Sequence, residues 1–173
     1  MTATHSPPLR LFLALWPSQA VHQALLAHSG AWSWPPSARL TPAERLHVTL
    51  HFLGDVAGEM LPALRQGLAV PWPGCEMAME RAQLWPGGIA VLEAVTVPPP
   101  LAALHAALSG RLQALGVAVD ERRYRPHVTL ARKAFGAQPP PRFAAVPWQA
   151  SPAYALVRSL PGGRGYENLQ LFG

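Results

Sequence analysis

The sequence predicts an α+β fold of two lobes whose sheets meet at a cleft. Three observations predict it. Strand-length segments, apolar or alternating, are interleaved with helical ones in the order β-α-β-α-β-β-α-β-β-β. Turn residues punctuate them at short intervals. The tetrapeptide His-Val-Thr-Leu occurs twice, at 47–50 and 127–130, 80 residues apart in a chain of 173. Half of the residues are hydrophobic, enough for a core in one domain or in two small packed lobes.

In chain order, Leu9 to Leu15 is an apolar run after Pro7-Pro8 and predicts a buried strand. Pro17-Ser18 ends it and caps a helix from Gln19 to His28, with Val21, Leu25 and Leu26 on one face. Trp32 to Pro42, rich in Pro and Ser, predicts a loop into the strand that carries His47, which Gly54-Asp55 closes. A second helix is expected from Gly58 to Leu68. Strands Cys75 to Leu84 and Ile89 to Val95 follow, joined as a hairpin by Trp-Pro-Gly-Gly. Pro98-Pro99-Pro100 opens a helix from Leu101 to Leu115, whose Leu101, Leu104, Leu108, Leu112 and Leu115 recur at helical spacing, and Gly116 caps it. The strand with His127 comes next, then a Pro-rich loop from Phe135 to Pro141. A strand from Trp148 or Ala153 to Leu160, a Pro-Gly-Gly turn and a last strand from Tyr166 to Phe172 complete the chain.

Side chains alternate between the faces of a strand, so each copy of the repeat presents one imidazole and one hydroxyl on the same face: His47 with Thr49, and His127 with Thr129. Two such pairs facing one cleft suit acid and base work on a phosphodiester. His51 shares that parity and is expected in the cleft. It lies about 13 Å along the strand from His47, too far for both to bind one metal. His5, His22, His28 and His105 need no functional account. Phe12 is the aromatic expected to stack on a base, with Tyr124 and Phe52 as further candidates.

The chain here resembles a known family. RLFLALWP, RLHVTLHFLGDV and RYRPHVTLAR are similar to the best-marked stretches of the two-histidine phosphoesterase superfamily, and within it of the RNA 2′,3′-cyclic phosphodiesterases, also called 2′-5′ RNA ligases. The resemblance runs from Arg10 to the C-terminal strand. It implies two pseudo-symmetric lobes, each an antiparallel sheet backed by helices, with the active site in the groove between them. The lobes would span roughly 10–95 and 96–160 of a single domain over 1–173, with terminal strands crossing between them. It further implies that His47 is the acid protonating the O3′ leaving group and His127 the base, giving a 2′-phosphate, with Thr49 and Thr129 donating to the phosphate oxygens. The two copies are symmetric in sequence, so the residues alone leave that direction open, and in ligation the roles exchange.

Arg132, five residues after His127, is where the family segment carries an arginine, which implies a phosphate or nucleotide contact. Strict alternation puts Arg132 on the wrong face, so the strand must end or bulge near Ala131. Arg45 and Arg125 have the parity for rim contacts with an RNA backbone.

Thirteen Arg and one Lys stand against nine acids, a net charge of +5. An Arg-dominated surface suits RNA phosphates, although GC-rich codons would produce the same excess. There is no phosphate-binding Gly-rich loop ending in Lys-Ser or Lys-Thr, and no acidic cluster for magnesium. No metal or cofactor is therefore expected, and any joining reaction should be independent of ATP. The single cysteine, Cys75, and the lack of an apolar span or a signal-like start lead to the expectation of a cytoplasmic monomer whose partner is RNA with 2′,3′-cyclic phosphate ends. Two other readings stay open: a phosphodiesterase for a small cyclic phosphate, such as an ADP-ribose cyclic phosphate or a cyclic nucleotide, and an RNA-binding module without catalysis.

Overall fold

The computed structural model describes residues 6–173; His5 lies outside them. The strands are β1 (Leu9–Leu15), β2 (Arg39–Leu40), β3 (Val48–Val56), β4 (Cys75–Met79), β5 (Arg81–Trp85), β6 (Ile89–Glu93), β7 (His127–Arg132), β8 (Val146–Ala150), β9 (Tyr154–Ser159) and β10 (Tyr166–Phe172). The helices are α1 (Gln19–Gly30), α2 (Leu61–Gly67) and α3 (Pro99–Ala114). The fold is α+β, as the sequence predicts, and every paired strand is antiparallel.

The strands form one eight-stranded sheet ordered β10-β9-β1-β3-β7-β6-β5, with β2 also on β7, and a separate pair β4-β8. Two groups of strands, β10-β9-β1-β3 and β7-β6-β5, share the large sheet and join only at Val48 opposite Val128. That junction is the floor of the cleft.

Several elements differ from expectation. A short β2 forms within the expected loop 32–42, and the strand expected from Trp148 or Ala153 to Leu160 is two strands, β8 and β9, in different sheets. Two further boundaries move. The run from Cys75 to Leu84 is not one strand but two, broken at Glu80: β4 pairs with β8 while β5 returns along β6 as the hairpin. Both halves alternate, so periodicity could not show that the chain changes sheets between them. The strand after His47 does not stop at Gly54. Gly54 takes φ +73 within it and pairs with Leu11, and the strand continues to Val56.

Helix α1 starts where predicted, with Ser18 Oγ accepting the Val21 N–H at 3.3 Å. Helix α3 buries Leu101, Leu104, Leu108 and Leu112 of the predicted stripe and packs on β3 and α2, while Leu115, expected as its last member, is the C-cap and only partly buried. Gly116 follows it at φ +77, the left-handed conformation a C-cap requires.

The buried Tyr154 of β9 ties the last strands to the segment after α2. Its hydroxyl donates to the Leu68 carbonyl and accepts the Val70 N–H, each at 2.7 Å, and its ring stacks on Phe172 at 4.9 Å. Behind β3, His51, His105 of α3 and Tyr124 stack in a column, each successive pair 4.0 Å apart.

Tyr154→Phe keeps the packing but leaves the Val70 N–H and Leu68 carbonyl without their partner, and it should lower unfolding free energy by about 1–3 kcal/mol in a denaturant titration. An unchanged midpoint would mean that water replaces the hydroxyl. The second expectation concerns acid. Burial first, and then the charge of His51, lower the His105 pKa to about 4, against the opposing pull of Asp120. The unfolded chain, with an ordinary imidazole near 6.5, takes the proton more readily. Stability from this group is therefore complete above about pH 6.5 and lost as pH falls towards 4. His105→Phe should flatten the fall of the denaturation midpoint across that window, and equal slopes in both proteins would remove His105 as its source.

Candidate active site

Both copies of the repeat lie where β3 meets β7. Because Val48 pairs with Val128 in antiparallel sense, the copies run past each other, bringing Thr49 near His127 and Thr129 near His47. All four line one pocket of about 260 Å³, together with Phe12, Phe52, Arg10, Arg45, Arg132 and Tyr166 among others.

Each histidine is set by its own backbone. His47 Nδ1 donates to the Arg45 carbonyl at 2.6 Å, and His127 Nδ1 donates to the Arg125 carbonyl at 2.7 Å. A carbonyl can only accept, so Nδ1 carries the proton and Nε2 is left as the working nitrogen in the neutral ring. The Thr49 hydroxyl donates to His47 Nε2 at 3.1 Å. Burial lowers the pKa of both imidazoles, opposed in each by the carbonyl hydrogen bond, and the neighbouring imidazole lowers His47 further.

The last residue of each repeat is a bulge. Thr49 pairs with Ala14 and His51 with Leu13, so Leu50 has no partner on β1. Likewise Thr129 pairs with Val91 and Ala131 with Ala90, leaving Leu130 unpaired. A one-residue bulge reverses the parity of everything after it. Arg132 is thereby turned to the cleft side and lines the pocket, as the sequence required of a bulge near Ala131. The same device in β3 takes His51 off the face of His47 and Thr49 and leaves it on the adjoining cavity that shares Thr49, Phe52 and His127 with this pocket. The His51 side chain points away from the pocket, buried, with Nε2 hydrogen-bonded to the His105 carbonyl at 2.9 Å. Phe52, five residues after His47 as Arg132 is after His127, takes the cleft position and is 52% exposed.

Phe12 lines the pocket too, but its ring lies against His47, with centroids 5.0 Å apart and planes at 29°. It is only 5% exposed, so its main contact is the imidazole. Tyr166 and Trp16 also flank His47, at 5.6 and 5.3 Å. On the opposite side Trp85 packs on His127 at 4.5 Å. The arginine two residues before each histidine covers the matching aromatic: Arg45 over Tyr166 at 5.6 Å, and Arg125 over Trp85 at 4.5 Å. These arginines are engaged within the protein. Arg45 donates to the Gly163 carbonyl at 2.7 Å, and Arg125 pairs with Glu93.

Sequence reasoning missed Glu93. It is fully buried opposite His127, and it accepts from Arg81 at 2.7 Å and from Arg125 at 2.9 Å. Its signal was a carboxylate inside the apolar run Ile89 to Val95, where burial demands a charged partner. Tyr166 and Trp85, brought in from distant strands, gave no local signal. Of the other histidines, His22 bonds the Ala43 carbonyl at 2.7 Å and His28 accepts from the Trp32 indole at 3.1 Å, both away from the cleft.

A sequence model described as the 2′-5′ RNA ligase superfamily matches residues 39–158, a span holding both repeats. The RNA 2′,3′-cyclic phosphodiesterase of Escherichia coli (strain K12) is 33% identical over 143 residues, which cover 80% of this chain and 81% of that protein. Among solved structures, a phosphoesterase superposes with a TM-score of 0.84 at 28% identity, over 95% of this chain and 97% of its own. E. coli LigT in its complex with 3′-AMP gives 0.82 at 26% identity, over 95% of this chain and 97% of its own. The family match covers well over half of the chain, and the curated relative agrees with it over four-fifths: this chain belongs to the 2′-5′ RNA ligase superfamily.

Proposed function

We propose that the chain hydrolyses RNA 2′,3′-cyclic phosphate ends to 2′-phosphates, with His47 and His127 as catalytic residues. The observation that carries this reading is the matched pair of imidazoles lining one pocket, each with Nδ1 on a main-chain carbonyl, so that Nε2, which in His47 meets the Thr49 hydroxyl, is the nitrogen left for a phosphate. The kinship with an RNA 2′,3′-cyclic phosphodiesterase supplies the substrate class.

In this reading the phosphate lies between the two Nε2 atoms, and Thr49 and Thr129 donate to its non-bridging oxygens. His127 takes a proton from the attacking water and His47 delivers one to O3′ as the P–O3′ bond breaks. Glu93 supports that direction. An imidazolium must form on the base as water is deprotonated, and the buried carboxylate on the strand next to His127 favours that charge against the opposing Arg125 and Arg132, with no such carboxylate acting on His47 among the described residues. Unlike the aspartate of a hydrolase triad, Glu93 takes no hydrogen bond from the imidazole, whose Nδ1 is on the Arg125 carbonyl, and it acts on His127 through its charge alone. Arg132 binds the phosphate or nucleotide end. The exposed ring of Phe52 offers the base a face, while Phe12 holds the His47 imidazole. The whole is a cytoplasmic enzyme whose partner is RNA.

EDTA-treated protein given an RNA oligonucleotide with a 2′,3′-cyclic phosphate end should yield the 2′-phosphate, identified by chromatography. A 3′-phosphate would reverse which oxygen leaves. His47→Ala and His127→Ala should each lower kcat by about 10²–10⁴-fold, and undiminished turnover in the double variant would end the proposal. The pH profile of kcat/KM should be bell-shaped, since one imidazole must be protonated and the other neutral. Both pKa values are lowered, so the acid form is lost early as pH rises and the basic limb should fall below the ordinary imidazole value of about 6.5. The two limbs belong to the coupled pair rather than to either residue. A basic limb above 7 would contradict the burial of the site.

A further inference from the structure

A cyclic phosphate held between two imidazoles leaves open where the rest of its nucleotide runs. Displacement at phosphorus proceeds in line, with the entering and leaving oxygens on opposite sides. On the hydrolytic reading O3′ leaves towards His47. The terminal ribose and everything 5′ of it therefore belong on the His47 side, among β1, β9 and β10.

Two cavities open on that side. One, of about 370 Å³, adjoins the catalytic pocket at Arg45 and Tyr166, and both of its arginines are committed. Arg45 lies 3.8 Å from Glu44 and donates to the Gly163 carbonyl, and Arg164 donates to the Pro161 carbonyl at 3.0 Å. The other, of about 380 Å³, adjoins the pocket at Arg10 and Ser159. Part of its wall is the turn from Leu160 to Gly163, where two glycines have no side chain to fill the space. Arg158 of the same wall lies 3.7 Å from Glu167.

Arg10 differs from these. It is exposed and makes no ion pair among the described residues, not even with Asp55, which stands opposite it in the β1–β3 ladder. Its guanidinium lies over the Phe52 ring instead, at 5.0 Å. A cation resting on an aromatic face is positioned, yet keeps its N–H edge for an oxygen. Arg10 and Phe12 share a face of β1, about 7 Å apart along the strand. Phe12 backs His47, so the guanidinium stands one such step beyond the imidazole. Successive phosphates of an extended nucleic-acid strand are separated by a comparable step. Ser159, paired with Arg10 across β1 and β9, presents its hydroxyl on the same face.

We infer that Arg10, with Ser159, forms a subsite for the phosphate on the 5′ side of the terminal nucleotide. The inference rests on the hydrolytic reading and names which cyclic phosphates that site prefers: those whose nucleotide also carries a 5′-phosphate or a 5′-phosphodiester. The bond is charge-assisted and suited to a bidentate fork, the stronger class of hydrogen bond. A nucleoside 2′,3′-cyclic phosphate without that group leaves Arg10 unused. Arg10 thereby separates a strand end from a small cyclic nucleotide by charge, whatever the base.

The test gives the intact protein two dinucleotides that end in the same 2′,3′-cyclic phosphate, one joined by an ordinary phosphodiester and one by an uncharged methylphosphonate. kcat/KM should be about tenfold higher for the phosphodiester. In Arg10→Gln that ratio should fall towards unity, and Arg10→Lys should restore part of it, while Arg164→Gln, in the other cavity, should leave it at the wild-type value. Each ratio is taken within one protein, so partial loss of folding or of general activity cancels. A nucleoside 2′,3′-cyclic phosphate bearing a 5′-phosphate should likewise be hydrolysed faster than the same compound without one. Equal rates on the two dinucleotides, or a ratio that Arg10→Gln leaves unchanged, would overturn the subsite and leave the hydrolase intact. A ratio lost in Arg164→Gln would also overturn it, by sending the strand through the other cavity. A wild-type protein that turns over none of these cyclic phosphates would overturn the hydrolytic reading and the subsite with it.

Discussion

The cleft depends on a single point of strand pairing. β3 and β7 are joined in the ladder only at Val48 and Val128, both fully buried. A longer shared ladder would have held the two strands side by side and flattened the cleft floor. With one pair, each strand is free to follow its own neighbours, β1 on one side and β6 on the other. Since the valine is the second residue of each repeat, pairing the valines also fixes where the histidines and threonines fall. Register and site geometry are thus the same constraint, and a slip of one residue would send all four His and Thr side chains of the repeats into the core.

On this near-symmetric frame the protein builds differences. His47 sits among Phe12, Trp16 and Tyr166, while His127 has Trp85 and, across the strand, the buried carboxylate of Glu93. Both imidazoles are desolvated, but among the described residues only His127 has a carboxylate drawing its pKa up, with Arg125 and Arg132 opposing it. Two identical tetrapeptides cannot by themselves decide which nitrogen gives and which takes a proton. The residues packed around them can, and those come from β1, β5, β6 and β10 rather than from the repeats.

How much of this was legible in the sequence follows the range of each signal. Alternation over four residues placed His47, Thr49, His127 and Thr129 on one face, and leucine spacing found α3. The bulges at Leu50 and Leu130 were only half legible. A bulge was required near Ala131 because Arg132 needed the cleft, yet the identical repeat at Leu50 was given strict alternation and His51 was misplaced by it. The lesson is local: a device inferred in one copy of a duplicated motif belongs in the other. The break at Glu80 was hidden because β4 and β5 alternate alike while pairing with different partners. Glu93 was visible as a charge in an apolar run, but its partners, Arg81 and Arg125, are set by cross-strand pairing and by the approach to β7, which composition does not encode.

The arginines show why net charge alone is a poor guide to an RNA surface. A count of thirteen suggests a broadly basic face, but the structure commits several of them internally: Arg81 and Arg125 to Glu93, Arg45 to a main-chain carbonyl, Arg122 to Asp120. Arg125 illustrates the consequence. Its parity predicted a rim contact with RNA, whereas its guanidinium joins Glu93 to Trp85 and its carbonyl orients His127. Such an arginine acts on substrate through other groups, by fixing a ring and an imidazole before anything binds. On the proposed function, the charges left to meet phosphate directly are the arginines of the catalytic pocket that make no ion pair among the described residues, Arg10 and Arg132. On the proposed function, affinity in this cleft would rest on a few placed guanidinium groups and fixed rings, not on the sum of the basic residues.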